Sequence, residues 1–155
     1  MASIITDGEV RALFTPFVNY DPAYITIVND GIIQERYLKP FLNGFYNEFI
    51  DNSGTYTDIE ADLKKAVGYL TAEEVIEQNG QSKTANLGEM ASFTQNSKTA
   101  EPDKMRAKQI FFIDRAVYLI EKVFQVLIET PADYPGFEEK EVYFTINLER
   151  FTGTV

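Results

Sequence analysis

The sequence, 155 residues long, contains neither cysteine nor histidine. Without cysteine there is no disulfide, no thiolate nucleophile, and no Cys-ligated zinc or iron–sulfur cluster. Without histidine the commonest general base and the commonest transition-metal ligand are gone, which excludes a Ser–His–Asp triad and a His-containing zinc site. No Walker loop, no GxGxxG and no acidic calcium loop occurs. Only carboxylate, Lys or Tyr chemistry, or an oxygen-ligated Ca or Mg site, remains open to an enzyme. Basic residues are also scarce: 14 Lys and Arg stand against 24 Asp and Glu, a net charge of -10. Binding to a phosphate backbone is driven by counterion displacement with Lys and Arg, so nucleic-acid binding is a minor expectation. There is no long hydrophobic run either. The longest apolar-rich stretch, Ile110 to Ile128, is broken by Asp114, Arg115, Glu121, Lys122 and Gln125, an amphipathic pattern rather than a membrane span. Met1 to Asp7 lacks the basic start and apolar core of a secretory signal. The expectation is a soluble non-enzyme made in a cytoplasm, with no cofactor, no metal and no membrane.

What is present suits one compact domain: 45% of the residues are hydrophobic and 14% aromatic. Thr6 followed by Glu9 is a capping-box pattern, and it predicts a short helix from Asp7 to Phe14, stopped before Pro16. Asp21-Pro22 predicts the start of a second helix running towards Leu38, with Ile25, Val28 and Ile32 at helical spacing. Pro40 kinks or ends it, and Phe41, Leu42, Phe45, Phe49 and Ile50 suggest a further short helix before the Asp51–Gly54 turn. Thr57 or Asp58 can cap the next helix, in which Ile59, Leu63, Ala66, Val67 and Leu70 form one stripe. Asn79-Gly80 offers it a stop after about Gln78.

From Gly80 to Glu101 polar residues dominate, and only Leu87, Met90 and Phe93 are large and apolar. Polar stretches of this length inside a domain are usually functional or disordered loops, and Glu89 to Gln95 suits a short strand or hairpin. Glu101-Pro102-Asp103 opens the strongest helix, which runs to about Glu129. Ile110, Ile113, Val117, Ile120, Phe124 and Leu127 make one of its faces, and Phe112, Ala116, Leu119, Val123 and Val126 lie beside it. A stripe that wide means either a central helix or a second face that meets another chain. Beyond Pro131, in residues 141–149, Val142, Phe144, Ile146 and Leu148 alternate with Tyr143, Thr145, Asn147 and Glu149, the pattern of a strand. It has no sequence-adjacent partner, so it pairs with 89–95, with Ser3 to Thr6, or with another subunit. The fold class expected is mainly α: a small helical bundle over residues 1–130, with the long polar loop 80–101 inserted before the last helix. An extension over 131–155 then carries a C-terminal β-strand arm. Leu87, Met90, Phe93, Val142, Phe144, Ile146, Leu148 and Phe151 are the candidate interface residues.

The carboxylate pairs Glu73-Glu74 and Glu138-Glu139 are sequence neighbours that point apart on a helix or strand. Asp58 and Asp62 lie at helical spacing, as on any solvated face. Lys39 beside an aromatic cluster reads as a snorkelling side chain rather than an activated amine. The 12 Phe and 9 Tyr suit either a pocket or a core with an interface.

The stretch Gln34-Glu35-Arg36-Tyr37-Leu38-Lys39-Pro40-Phe41-Leu42 resembles the Tyr-Leu-Lys-Pro-hydrophobic-Leu-Gly element of tailed-phage head–tail connector (adaptor, head-completion) proteins. Here Asn43 stands before Gly44, where that family tends to place glycine directly after leucine, and the extension from Pro131 to Val155 has no place in the family core. The resemblance implies a helix, a polar loop with a β element and a long helix in that order. It implies a homo-oligomeric ring, commonly of about twelve subunits, closed by heterologous contacts. Such a ring sits in the virion between portal and tail-ring proteins and lets packaged DNA pass without sequence-specific binding, for which an acidic lining is suited. The alternative expectation is a monomeric or dimeric helical module that binds a peptide or small molecule.

Overall fold

A computed structural model describes residues 3–13, 23–90 and 102–138, with backbone alone over 77–90 and 102–105. The described residues are helical: α1 (Asp7–Leu13), α2 (Ala23–Val28), α3 (Ile32–Leu42), α4 (Tyr46–Asp51), α5 (Thr57–Met90) and α6 (Pro102–Glu129). Single 3-10 turns at Asn43–Phe45 and Pro131–Asp133 complete them. The mainly α class stands, and no strand occurs among the described residues. The expected strand at 141–149, with Val142, Phe144, Ile146, Leu148 and Phe151, lies outside them, as does Phe93.

The capping box at the start of α1 is formed as expected. The Glu9 amide donates to Thr6 Oγ1 at 3.3 Å, and the Thr6 amide donates back to Glu9 Oε2 at 2.8 Å. These bonds, the one from the Thr6 backbone first, hold the Glu9 carboxyl below its usual range. The single second helix expected up to Leu38 is instead two. Gly31, at φ 90°, takes the left-handed conformation that glycine tolerates, and the chain turns there between α2 and α3. Pro40 does not end α3, which continues to Leu42. Pro40 and Arg36 are both exposed, so the Arg36 carbonyl that loses its helical partner is free to meet water.

The helix expected to stop near Gln78 runs on to Met90. Asn79 and Gly80 weaken a helix, at about 1 kcal/mol for the glycine, but Gln81, Lys83, Ala85, Leu87 and Glu89 follow at good helix-forming positions. Residues 80–90 of the loop expected at 80–101 are therefore part of α5, and Glu89 and Met90 are helical rather than part of a hairpin. Residues 91–101 lie outside the described ones. Helix α5 starts slightly earlier than a Thr57 or Asp58 cap would place it: the Tyr56 carbonyl already accepts the first helical bonds, from the Ile59 and Glu60 amides at 3.2 and 2.9 Å.

The helix at the centre is α5, not α6. Between Leu70 and Ile76 every residue except the half-buried Glu74 is buried, so this stretch is covered all round. Helix α6 runs antiparallel along one side: Lys122 Nζ lies 2.7 Å from Asp62 Oδ2, Tyr69 stacks at 5.9 Å from Phe112, and Gln109 Nε2 donates to Glu73 Oε1 at 3.1 Å. Gly68 points elsewhere, to α1, where an added Cβ would lie 2.6 Å from Ile5 Cδ1 and 2.9 Å from Leu13 Cδ1. Glu74 points to α3, with Arg36 at 3.7 Å. At 3.6 residues per turn, Gly68 and Glu74 sit roughly a third of a turn to either side of the Asp62–Tyr69–Glu73 line. Helix α2, which also packs on α5 and beside α1, is thus on the far side of α5 from α6.

Burial along α6 corrects the expected faces. Phe112, Ile113, Ala116, Ile120, Val123 and Leu127 are buried, a line drawn from both expected series. Val117 and Phe124 are half-buried, and Ile110 is exposed.

Candidate interaction surface

The family-like motif is divided by its helix into an inner and an outer part. Leu38, Phe41 and Leu42 are buried in the core, Tyr37 is half-buried, and Lys39 and Pro40 face solvent. Burial raises the Tyr37 hydroxyl above its ordinary value. Lys39 lies with its ammonium 6.0 Å from the centre of the Tyr46 ring, in keeping with a snorkelling side chain. The motif contributes to packing: Phe41 meets Phe124 of α6 at 6.4 Å.

The carboxylates flagged in the sequence are absorbed into helix pairing. Asp62 holds Lys122, whose ammonium is raised by that hydrogen bond. Asp58 accepts from the Tyr134 hydroxyl, and Glu73 is buried against Gln109. No group of three acidic residues placed to hold a metal occurs among the described residues, and no described helix is long and apolar enough to cross a membrane.

One feature that the sequence did not reveal is a strap over residues 134–138. Tyr134 is buried edge-on against Phe45 at 5.4 Å, and Phe137 meets Phe124 at 6.5 Å. Gly136 (φ 84°) lies so close to Gly44 that a Cβ on Gly44 would collide with the Gly136 carbonyl. Asn43 stands at φ 42°, an uncommon conformation for a residue with a side chain. Its amide clamps the backbone of Glu138 at both ends: Nδ2 donates to the Glu138 carbonyl at 2.8 Å, and Oδ1 accepts from the Glu138 amide at 3.1 Å. The departure from the family pattern at Asn43 is therefore the residue that secures the start of the C-terminal extension.

Among the described residues, exposed large apolar side chains fall in two places. On α6 they are Ile110 (38% exposed), Phe111 (41%) and Tyr118 (63%), of which Phe111 and Tyr118 lie opposite the buried line of the helix. Phe111 and Tyr118 are seven residues apart, two turns on one face, and the Arg115 guanidinium sits 5.2 Å from the Phe111 ring. Across the α2–α3 bend they are Ile27 (67%) and Ile32 (54%). Neither place includes the residues singled out in the sequence. Leu87 and Met90 are on α5, with only their backbone described, and Phe93, Val142, Phe144, Ile146, Leu148 and Phe151 are outside the described residues. Phe111 and Tyr118 fall in neither apolar series of α6, so the spacing of apolar residues gave no signal for them.

No protein-family model, curated protein or solved structure matches the chain.

Proposed function

We propose that this chain is a virion structural protein, a ring-forming head–tail connector that joins portal to tail, extends the DNA channel and acts by assembly rather than catalysis. The reading rests on the likeness of Gln34 to Leu42 to the connector element. The observation that carries it furthest is the outer face of α6, where Phe111 and Tyr118 are exposed two turns apart on one long helix. Large side chains aligned in this way suit contact with another chain. The net charge of -10 suits a channel that DNA slides through without being held. In this reading the C-terminal extension is an arm, launched from the Asn43–Glu138 clamp and paired with a neighbouring subunit or the next ring.

The test is to mix the purified protein with portal rings and image the mixture by electron microscopy. A closed ring stacked on the portal is the expected result. A small species that ignores both portal and tail proteins overturns the reading and favours a monomeric or dimeric binding module.

A further inference from the structure

We infer that the two exposed apolar patches are the two halves of one head-to-tail interface between copies of this chain: the α6 patch of one copy receives the α2–α3 patch of the next. This deepens the assembly reading above and rests on it for the ring, although the pairing itself requires no portal.

Three observations carry the inference. The patches are comparable in kind, each built on large apolar side chains that stay partly exposed in the subunit: Phe111 and Tyr118 on one side, Ile27 and Ile32 on the other. They stand on opposite sides of α5, because α6 packs along its Asp62–Tyr69–Glu73 line and α2 packs on the side away from it. One subunit therefore cannot bring its own two patches together, but a neighbour can. Their flanking charges are also of opposite sign. Around the α6 patch, Arg106, Lys108 and Arg115 are exposed, with Asp114 the one acid among residues 106–118. Around the α2–α3 patch, Asp30 is exposed and Glu35 half-exposed, and the one cation on α3 close to Ile32, the exposed Arg36 four residues on, has its guanidinium 3.7 Å from Glu74 of α5.

A patch that is basic at its rim does not suit a second copy of itself. Apolar centres with complementary rims are what steers two different surfaces together and suppresses like-with-like pairing. An interface made of two different patches is heterologous, the kind that generates rings or filaments rather than closed two-fold dimers.

The experiment uses two full-length variants that each lose one patch at exposed positions. One is Phe111→Gln with Tyr118→Gln; the other is Ile27→Gln with Ile32→Gln. Circular dichroism checks that both keep the parent's helix content, and sedimentation velocity is run up to about 1 mM, where contacts of millimolar affinity register. The parent is expected to form species larger than two chains as concentration rises, less so in high salt. Each variant alone is expected to stay monomeric. Their equimolar mixture is expected to give a two-chain species and nothing larger, since only one good interface can form. A parent that stays monomeric throughout, a variant that still self-associates, or a mixture without the two-chain species overturns the inference. If the two-chain species forms but the parent never stacks on portal rings, the inference stands and the connector reading falls.

Discussion

Replacing Tyr134 by phenylalanine removes one oxygen atom and tests how the strap is held. The ring is buried between Phe45 and Tyr56, and its hydroxyl donates to Asp58 on the first turn of α5. A hydrogen bond to a charged group contributes about 1.5–3 kcal/mol. Asp58 is exposed, so water takes over part of that bond, and a loss of about 1–1.5 kcal/mol is expected. For a chain of this size that lowers Tm by roughly 3–5 °C. The pH dependence is more diagnostic. Burial, then the hydrogen bond to Asp58 and its charge, push the Tyr134 hydroxyl from 10.0 up to about 12. Below pH 10 the hydroxyl is protonated in both folded and unfolded chains, and its contribution is complete. Between pH 10 and 12 the unfolded chain loses the proton first, so stability falls as pH rises through that window. The loss is at most about 1.4 kcal/mol per unit and less here because Asp58 faces water. The phenylalanine variant has no such proton, so the Tm gap between parent and variant should close from pH 10 to pH 12. Taking the difference cancels the other tyrosines. In an Asp58→Asn background the same substitution should cost less. A gap that stays constant across the window, or a variant as stable as the parent at pH 8, refutes the account of the strap.

Ile120→Asp puts a carboxylate on the buried line of α6 without a partner, and on the order of 4 kcal/mol should be lost in urea unfolding; a variant that melts within a degree or two of the parent would show that this face is not the core. Gly44→Ala pushes a methyl into the Gly136 carbonyl, and a cost of about 1–3 kcal/mol is expected, together with faster proteolysis between Phe137 and Lys140; an unchanged protease pattern would mean that the two backbones are not in contact. Truncation after Glu139 should leave a folded subunit of nearly unchanged Tm that no longer joins the head–tail assembly; loss of folding would place the extension in the core of its own domain.

Local signals carried the fold a fair way. The Thr6–Glu9 capping box and both ends of α6 were legible because each is decided by residues within a turn of one another. The errors share a cause in tertiary context. Periodicity placed a wide apolar stripe on α6, but which arc of that stripe is buried depends on the helix beside it, so Ile110 was read as inner and Phe112 as secondary. The Asn79-Gly80 pair is a stop signal of modest strength, and α5 passes through it. The break at Gly31 hid behind apolar residues that keep helical spacing on both sides of it. The strap was not legible at all: Tyr134, Gly136 and Glu138 find their partners at Asp58, Gly44 and Asn43, up to 95 residues away, and no local pattern encodes such a contact. Of the candidate interface residues, Leu87 and Met90 lie on α5 with only their backbone described and the others lie outside the described residues; Ile32 and Ile110 were counted in apolar series, whereas Ile27, Phe111 and Tyr118 stood in none.

Single exposed apolar residues are ordinary on protein surfaces, so the two patches matter through their placement rather than their existence. Helix α5 separates them, and its packing fixes the angle between α2 and α6. If the patches pointed in strictly opposite directions, each added copy would continue a straight line and the product would be an open filament. A closed ring of n copies needs each junction to turn by 360°/n, about 30° for a ring of about twelve. The residues that set this turn are those that seat α2 and α6 on α5: Gly68 under α1, which carries Asp7 bonded to Thr26 and Asn29 of the α2 region, and the Asp62–Lys122 and Glu73–Gln109 pairs under α6. A substitution at Gly68 that shifts α1 and α2 outward, with both patches intact, should therefore change the number of subunits in the product rather than abolish association. Such a change of ring size, seen in electron micrographs, separates control by geometry from control by patch chemistry.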